Sequence, residues 1–206
     1  MKTICTLLLM FVALQASAQT TRIVNAYPNR PNSPNTYQTL QSAIDAANVG
    51  DALIIIPHPS QYNGTLGKRL VFIGVGLDVR KNIPSLRSII SISVISSNAD
   101  QSEFKGLELS IDGGGFAGQT NPRMNVRYCI ISSATSNQYQ NLFRAPRYSI
   151  INSISDGVNV YDSIVQNSIF TSTVLKEKSF FKNNIESTPK SPSRQHPFYF
   201  TQVLKT

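Results

Sequence analysis

Between positions 39 and 76 the pattern of apolar and polar residues changes period twice. Leu40, Ile44 and Ala47 fall at i, i+4 and i+7, the single stripe of an amphipathic helix of about three turns. Thr39 stands where an N-cap hydroxyl is needed, and Gly50 where a left-handed residue would stop the helix. Leu53-Ile54-Ile55-Ile56 then shows no alternation at all, which predicts a strand covered on both faces and ended by Pro57. Gln61-Tyr62-Asn63-Gly64 reads as a turn, and Leu70-Val71-Phe72-Ile73 as the next strand, closed by Gly74 and Gly76.

Beyond this module the period becomes two. Ile90-Ser91-Ile92-Ser93-Val94 and Leu107-Glu108-Leu109-Ser110-Ile111-Asp112 alternate strictly, as half-buried strands do. No later segment carries a helical period, and Arg22-Ile23-Val24-Asn25 is a candidate short first strand. Strands without intervening helices fit an antiparallel sandwich as well as a parallel stack. A repeat near the C-terminus favours the stack. Ile150-Ile151-Asn152-Ser153-Ile154, Val165-Gln166-Asn167-Ser168-Ile169 and Phe181-Lys182-Asn183-Asn184-Ile185 share one frame, with asparagines 15 and 16 residues apart. Val126-Arg127-Tyr128-Cys129-Ile130 fits it with tyrosine in the asparagine's place. Flanking core residues predict that these asparagines point inward and bond amide to amide in a ladder. The short repeat implies unusually tight coils; chance recurrence in a Ser/Asn-rich sequence is the competing explanation.

The module T-L-Q-x-A-I-D-A-A-x-x-G-D, an apolar strand ending in Pro57, Tyr62-x-Gly64 and L-x-x-I-G-x-G resembles the opening of right-handed parallel β-helix proteins of the pectin-lyase-like superfamily. It departs from them at Pro57-His58, where the family carries Pro-Gly. The resemblance implies an all-β fold, a single-stranded right-handed parallel β-helix (a solenoid) with a short N-terminal capping α-helix over its apolar end. The alternative is a generic helix–strand pair of an α/β domain. On the first reading, 19–38 is an extended leader, 39–188 the β-helix, and 189–206 an irregular tail or truncated end.

Residues 1–18 read as a secretory signal peptide, with Lys2 as the positive region, 6–14 as the apolar core and Ala16-Ser17-Ala18 as the cleavage site. The apolar run is too short for a transmembrane segment. The chain is therefore expected outside the cytoplasm: secreted, periplasmic or on the cell surface. Once the signal leaves, Cys129 is alone, so no intrachain disulfide can form, and its apolar surroundings mark it as a core residue. The formal net charge of +8 suits an acidic polysaccharide or cell-envelope glycan as partner. Without tryptophan or a basic-aromatic motif, nucleic acid is not expected.

The superfamily's enzymes supply a set of signatures to look for. Ile111-Asp112-Gly113-Gly114-Gly115 resembles a segment of the polygalacturonase-like hydrolases, but their later aspartate and His-Gly motifs are missing. The clustered aspartates of pectate-lyase-like enzymes and the Gln-Ala-Val motif of pectinesterases are missing too. His58 and His196 stand apart, so no metal site and no cofactor are expected. The candidates for any site are Asp112, turned outward by alternation beside a glycine turn, and Arg123 and Arg127, able to hold a sugar carboxylate bidentately. Solvated surface charge is the plainer reading of all three. The pattern thus favours an exported, non-catalytic protein offering a repetitive surface to a glycan, with a polysaccharide lyase or hydrolase as the runner-up. An ice-binding face would need flat threonine arrays, and only Thr171-Ser172-Thr173 hints at one.

Overall fold

The computed structural model describes residues 19–29, 33–75, 87–113, 122–135, 147–160, 164–175 and 180–186. The signal segment 1–18 and the tail 189–206 lie outside them. The described residues are mostly β-strand, in two parallel sheets, with one α-helix. The nine-stranded sheet holds β1 (Thr21–Val24), β2 (Thr36–Tyr37), β3 (Ala52–Ile55), β5 (Val71–Gly74), β7 (Ser102–Lys105), β9 (Arg123–Arg127), β11 (Arg147–Ile151), β13 (Ile164–Gln166) and β15 (Phe180–Lys182). The seven-stranded sheet holds β4 (Tyr62–Leu66), β6 (Ile89–Val94), β8 (Glu108–Gly113), β10 (Ile130–Thr135), β12 (Ile154–Val160), β14 (Ile169–Leu175) and β16 (Ile185–Glu186). From β3 onward the chain passes alternately between the sheets, and each strand pairs with the one two places along.

Register turns this alternation into a core. Leu53, Phe72, Phe104, Val126, Ile150 and Val165 are partners on successive strands of the nine-stranded sheet. The Phe72 and Phe104 rings lie nearly parallel, with centroids 4.9 Å apart. Tyr62, Ile90, Leu109 and Ile131 form the corresponding inward column of the other sheet. Because side chains alternate across a strand, one such column per sheet is enough to make a continuous apolar interior.

Each step from the nine-stranded to the seven-stranded sheet in the later part of the chain takes two residues. The first is left-handed: Gly106, Tyr128, Asn152, Asn167 and Asn183 have φ of 63°, 55°, 52°, 50° and 52°. The amides of the first four still find backbone partners on the next strand of the sheet, as Asn152 N–H does at Gln166 O, 3.1 Å away. The second is inward: Leu107, Cys129, Ser153 and Ser168 are buried. Here the expected inward asparagine ladder is corrected. Asn152, Asn167 and Asn183 are exposed, and no amide-to-amide bond joins them. They are present because asparagine tolerates the left-handed region. The inward polar ladder lies one residue later. Ser153 Oγ accepts from Cys129 N at 3.2 Å, Ser168 Oγ from Ser153 N at 3.3 Å, and Asn184 Oδ1 from Ser168 N at 2.9 Å.

The helix α1 (Leu40–Ala46) lies against β4 and also touches β1 and β2. Thr39 caps it as expected, its Oγ1 accepting from Ser42 N at 3.2 Å. It has seven residues, not three full turns, because Ala47 is already extended. Lys68 Nζ donates to the Ala47 and Asp45 carbonyls, at 2.6 and 3.2 Å, and so serves the helix C-terminus. Gly50 does not stop the helix. At φ +90° it makes the turn before β3, its amide donating to Arg69 O. Tyr62-Asn63-Gly64 is likewise not a turn but the start of β4. Tyr62 is buried, its hydroxyl accepting from Ala26 N, and Gly64 is bare because the helix packs on it. A Cβ at Gly64 would lie 2.7 Å from Ile44 Cδ1 and 3.1 Å from Leu40 Cγ.

Candidate functional site

On the outer side of the nine-stranded sheet, Val71, Glu103 and Asn125 are register partners on β5, β7 and β9. They face away from the core because Phe72, Phe104 and Val126 face into it. These three line a cavity of about 420 Å³ together with Arg69, Gln101 and the 48–51 turn. Gln101 is left-handed, at φ 63°, its amide bonded to Arg123 O; its Oε1 accepts from Asn125 Nδ2 at 3.1 Å. Arg69 is exposed, and no acidic partner for it occurs among the described residues. The lining therefore offers one cation, two carboxylates and several amides.

Asp51 is among the residues that line this cavity and is only 3% exposed. Its carboxylate accepts from Thr20 N, Asn48 N and Arg22 Nε, at 2.9, 2.8 and 3.2 Å. Burial pushes its carboxyl pKa up. The Asn48 and Thr20 amides and the Arg22 guanidinium outweigh that and hold it below the ordinary 3.8. Arg22 is itself held by Tyr37, whose hydroxyl accepts from Nη1 at 2.8 Å. Asp51 is thus a structural anion, saturated with donors. The other carboxylate, Glu103, pairs with Lys105. Cleavage by two carboxylates needs one poised as acid and one as base or nucleophile, and this pair is not so arranged.

Of the residues singled out by sequence, Arg123 and Arg127 lie on β9, on the same outward side as Asn125. Arg123 is half-buried, its amide donating to Asp100 Oδ1 at 2.6 Å, and Arg127 is exposed. Four residues of strand put their α-carbons about 13 Å apart. Asp112 is on β8, in the other sheet, in register with Ser93 and Thr135. The two arginines therefore share a face with the cavity, and Asp112 belongs to a different sheet. Arg69, Gln101, Glu103 and Asn125 were not singled out, because register alone brings them together.

A second cavity, of about 260 Å³, is lined by Gln41 of helix α1 and by Asn63, Gly64, Thr65, Ser91 and Ser93 of the seven-stranded sheet. Cys129 is buried, and burial pushes its thiol up to about 11 against the lowering effect of Leu107, Arg127 and Gly106 backbone groups. A neutral thiol there is no nucleophile. His58 packs beside Tyr27 and Tyr62, ring centroids 5.1 and 5.7 Å away; His196 lies outside the described residues. No group of three His, Cys, Asp or Glu able to hold a metal occurs among the described residues, and no helix there is long and apolar enough to cross a membrane. In comparisons with family models, characterised proteins and solved structures, the chain matches none.

Proposed function

We propose that this chain is an exported, non-catalytic protein whose two sheets are the faces of one right-handed parallel β-helix, and that it presents a repetitive surface to an acidic polysaccharide or cell-envelope glycan. The reading is carried by one observation. Next to the amide-lined cavity, Ile73, Lys105, Arg127, Ile151, Gln166 and Lys182 are partners on successive strands of the nine-stranded sheet, at the outward position. Neighbouring strands lie about 4.8 Å apart. Arg127 and Lys105, the latter paired with Glu103, thus stand on adjacent strands two residues on from Asn125 and Glu103, with Arg123 on the same face. Cations so placed attract a polyanion over a distance set by salt, and the amides bond its hydroxyls at contact.

Affinity electrophoresis of the purified chain in gels containing polygalacturonate tests this. Retardation should weaken about tenfold in Lys105→Gln/Arg127→Gln and fall steeply between 50 mM and 300 mM salt, with no change in polymer length. Unretarded wild-type protein sinks the reading. Depolymerisation of polygalacturonate or alginate, abolished in Asp112→Ala, replaces it with the lyase or hydrolase.

A further inference from the structure

One residue in the left-handed column does not suit its backbone. Gly106, Asn152, Asn167 and Asn183 are types that enter this region readily, and Tyr128 holds the same place at φ 55°. A bulky side chain there is strained. Tyr128 is 62% exposed, and among the described residues its ring meets no other ring and its hydroxyl has no hydrogen-bond partner. Backbone strain that packing does not explain points toward a role in binding.

The surroundings indicate what is bound. Gly106 presents no side chain on the preceding rung, and Asn152 presents an exposed amide on the following one. Arg127, next in sequence, is exposed and in register with Lys105. Three residues back along β9, about 10 Å away, Asn125 opens into the cavity. An aromatic face is an apolar platform with a polar rim. A pyranose ring has the matching shape, a face of C–H groups edged by hydroxyls. We propose that Tyr128 is a stacking platform for a pyranose ring of the bound polysaccharide, with Asn152 and Arg127 bonding the substituents at the ring's edge. This rests on the glycan-binding reading above and adds to it a subsite outside the cavity.

The test uses the full chain, with polygalacturonate as probe, and the variants Tyr128→Asn and Tyr128→Phe. Asparagine is what the sister corners use, so Tyr128→Asn should melt a few degrees higher than wild type while binding polygalacturonate at least tenfold more weakly. Tyr128→Phe, which keeps the ring, should bind within twofold of wild type. If wild type binds and Tyr128→Asn binds equally well, this proposal fails and the glycan reading survives. A lower melting temperature for Tyr128→Asn makes the ring a packing element and also overturns it. Loss of binding to a thymidine decanucleotide in Tyr128→Asn, with polygalacturonate binding unchanged, assigns the platform to nucleobases instead. A wild-type chain that ignores polygalacturonate sinks both readings together.

Discussion

Arg22 Nε donates to Asp51 Oδ2 across 3.2 Å, joining the first strand of the nine-stranded sheet to the turn that opens its third. Both side chains are nearly inaccessible, so the pair is desolvated on each side and depends on its other partners: Tyr37 for the arginine, two backbone amides for the aspartate. The arrangement fixes the extended leader to the sheet and fixes the wall of the candidate cavity.

Removing one member of a buried pair strands the other, at a cost of about 3 kcal/mol or more. Asp51→Asn should therefore lose about that much stability in urea melts at pH 7. The pH dependence has a definite sign. The folded pKa of Asp51 is depressed, so its contribution is full above the unfolded value near 4 and is lost as pH falls through the lower folded value. The wild type should converge on Asp51→Asn below pH 4. A constant gap between them from pH 7 to pH 2.5 would rule this out.

Two glycines are predicted to differ sharply in tolerance. A Cβ on Gly64 meets the flexible end of Ile44, which can shift, and Gly64→Ala should cost about 1–3 kcal/mol as helix α1 is pushed outward. A Cβ on Gly74 falls on the backbone carbonyl of Gly106, at an impossible 2.0 Å. No rotamer relieves that, so Gly74→Ala should fail to give a cooperative melt, or cost more than 4 kcal/mol. Equal thermal shifts for the two variants would contradict this geometry.

The helix and the strands beside it were legible because their signals are local: a stripe at i, i+4, a threonine cap, an unbroken apolar run. Gly64 was misread because its meaning is tertiary. A glycine after tyrosine and asparagine looks like a turn until the helix above it is known. The asparagine repeat was legible as a repeat and misread in direction. Inward ladders and left-handed corners both select asparagine, and sequence spacing cannot tell them apart; the sign of φ does. For the site, β9 could be guessed to carry Arg123 and Arg127. Arg69, Gln101, Glu103 and Asn125 become neighbours only once register is fixed across connections of unequal length.

The corner geometry makes its own prediction. If Asn167 is present for its backbone, Asn167→Gly should be neutral or slightly stabilising, and Asn167→Ala should cost about 1 kcal/mol, the price of a Cβ in the left-handed region. An inward amide ladder would instead make both substitutions costly, by leaving amides on Asn152 and Asn183 without partners. Chemical denaturation of the two variants separates these outcomes directly.

The serine ladder one residue later should behave in the opposite way, with side-chain chemistry deciding. Ser153 Oγ accepts from Cys129 N and donates to Ile151 O; Ser168 Oγ accepts from Ser153 N and donates to Gln166 O. Truncating either serine leaves a buried N–H with no acceptor, so Ser153→Ala and Ser168→Ala should each cost about 1–3 kcal/mol. Cys129 occupies the same column, and its Sγ reaches the Arg127 carbonyl two residues back, at 3.3 Å, as each serine oxygen reaches its own. Cys129→Ser should therefore be accommodated within about 1 kcal/mol, its hydroxyl taking over the thiol's bond. With its pKa raised to about 11 by burial, the wild-type thiol should react with a disulfide reagent at pH 8 only as fast as the chain unfolds. Rapid labelling of the folded protein, or a large loss of stability in Cys129→Ser, would show that position 129 is not a rung of this ladder.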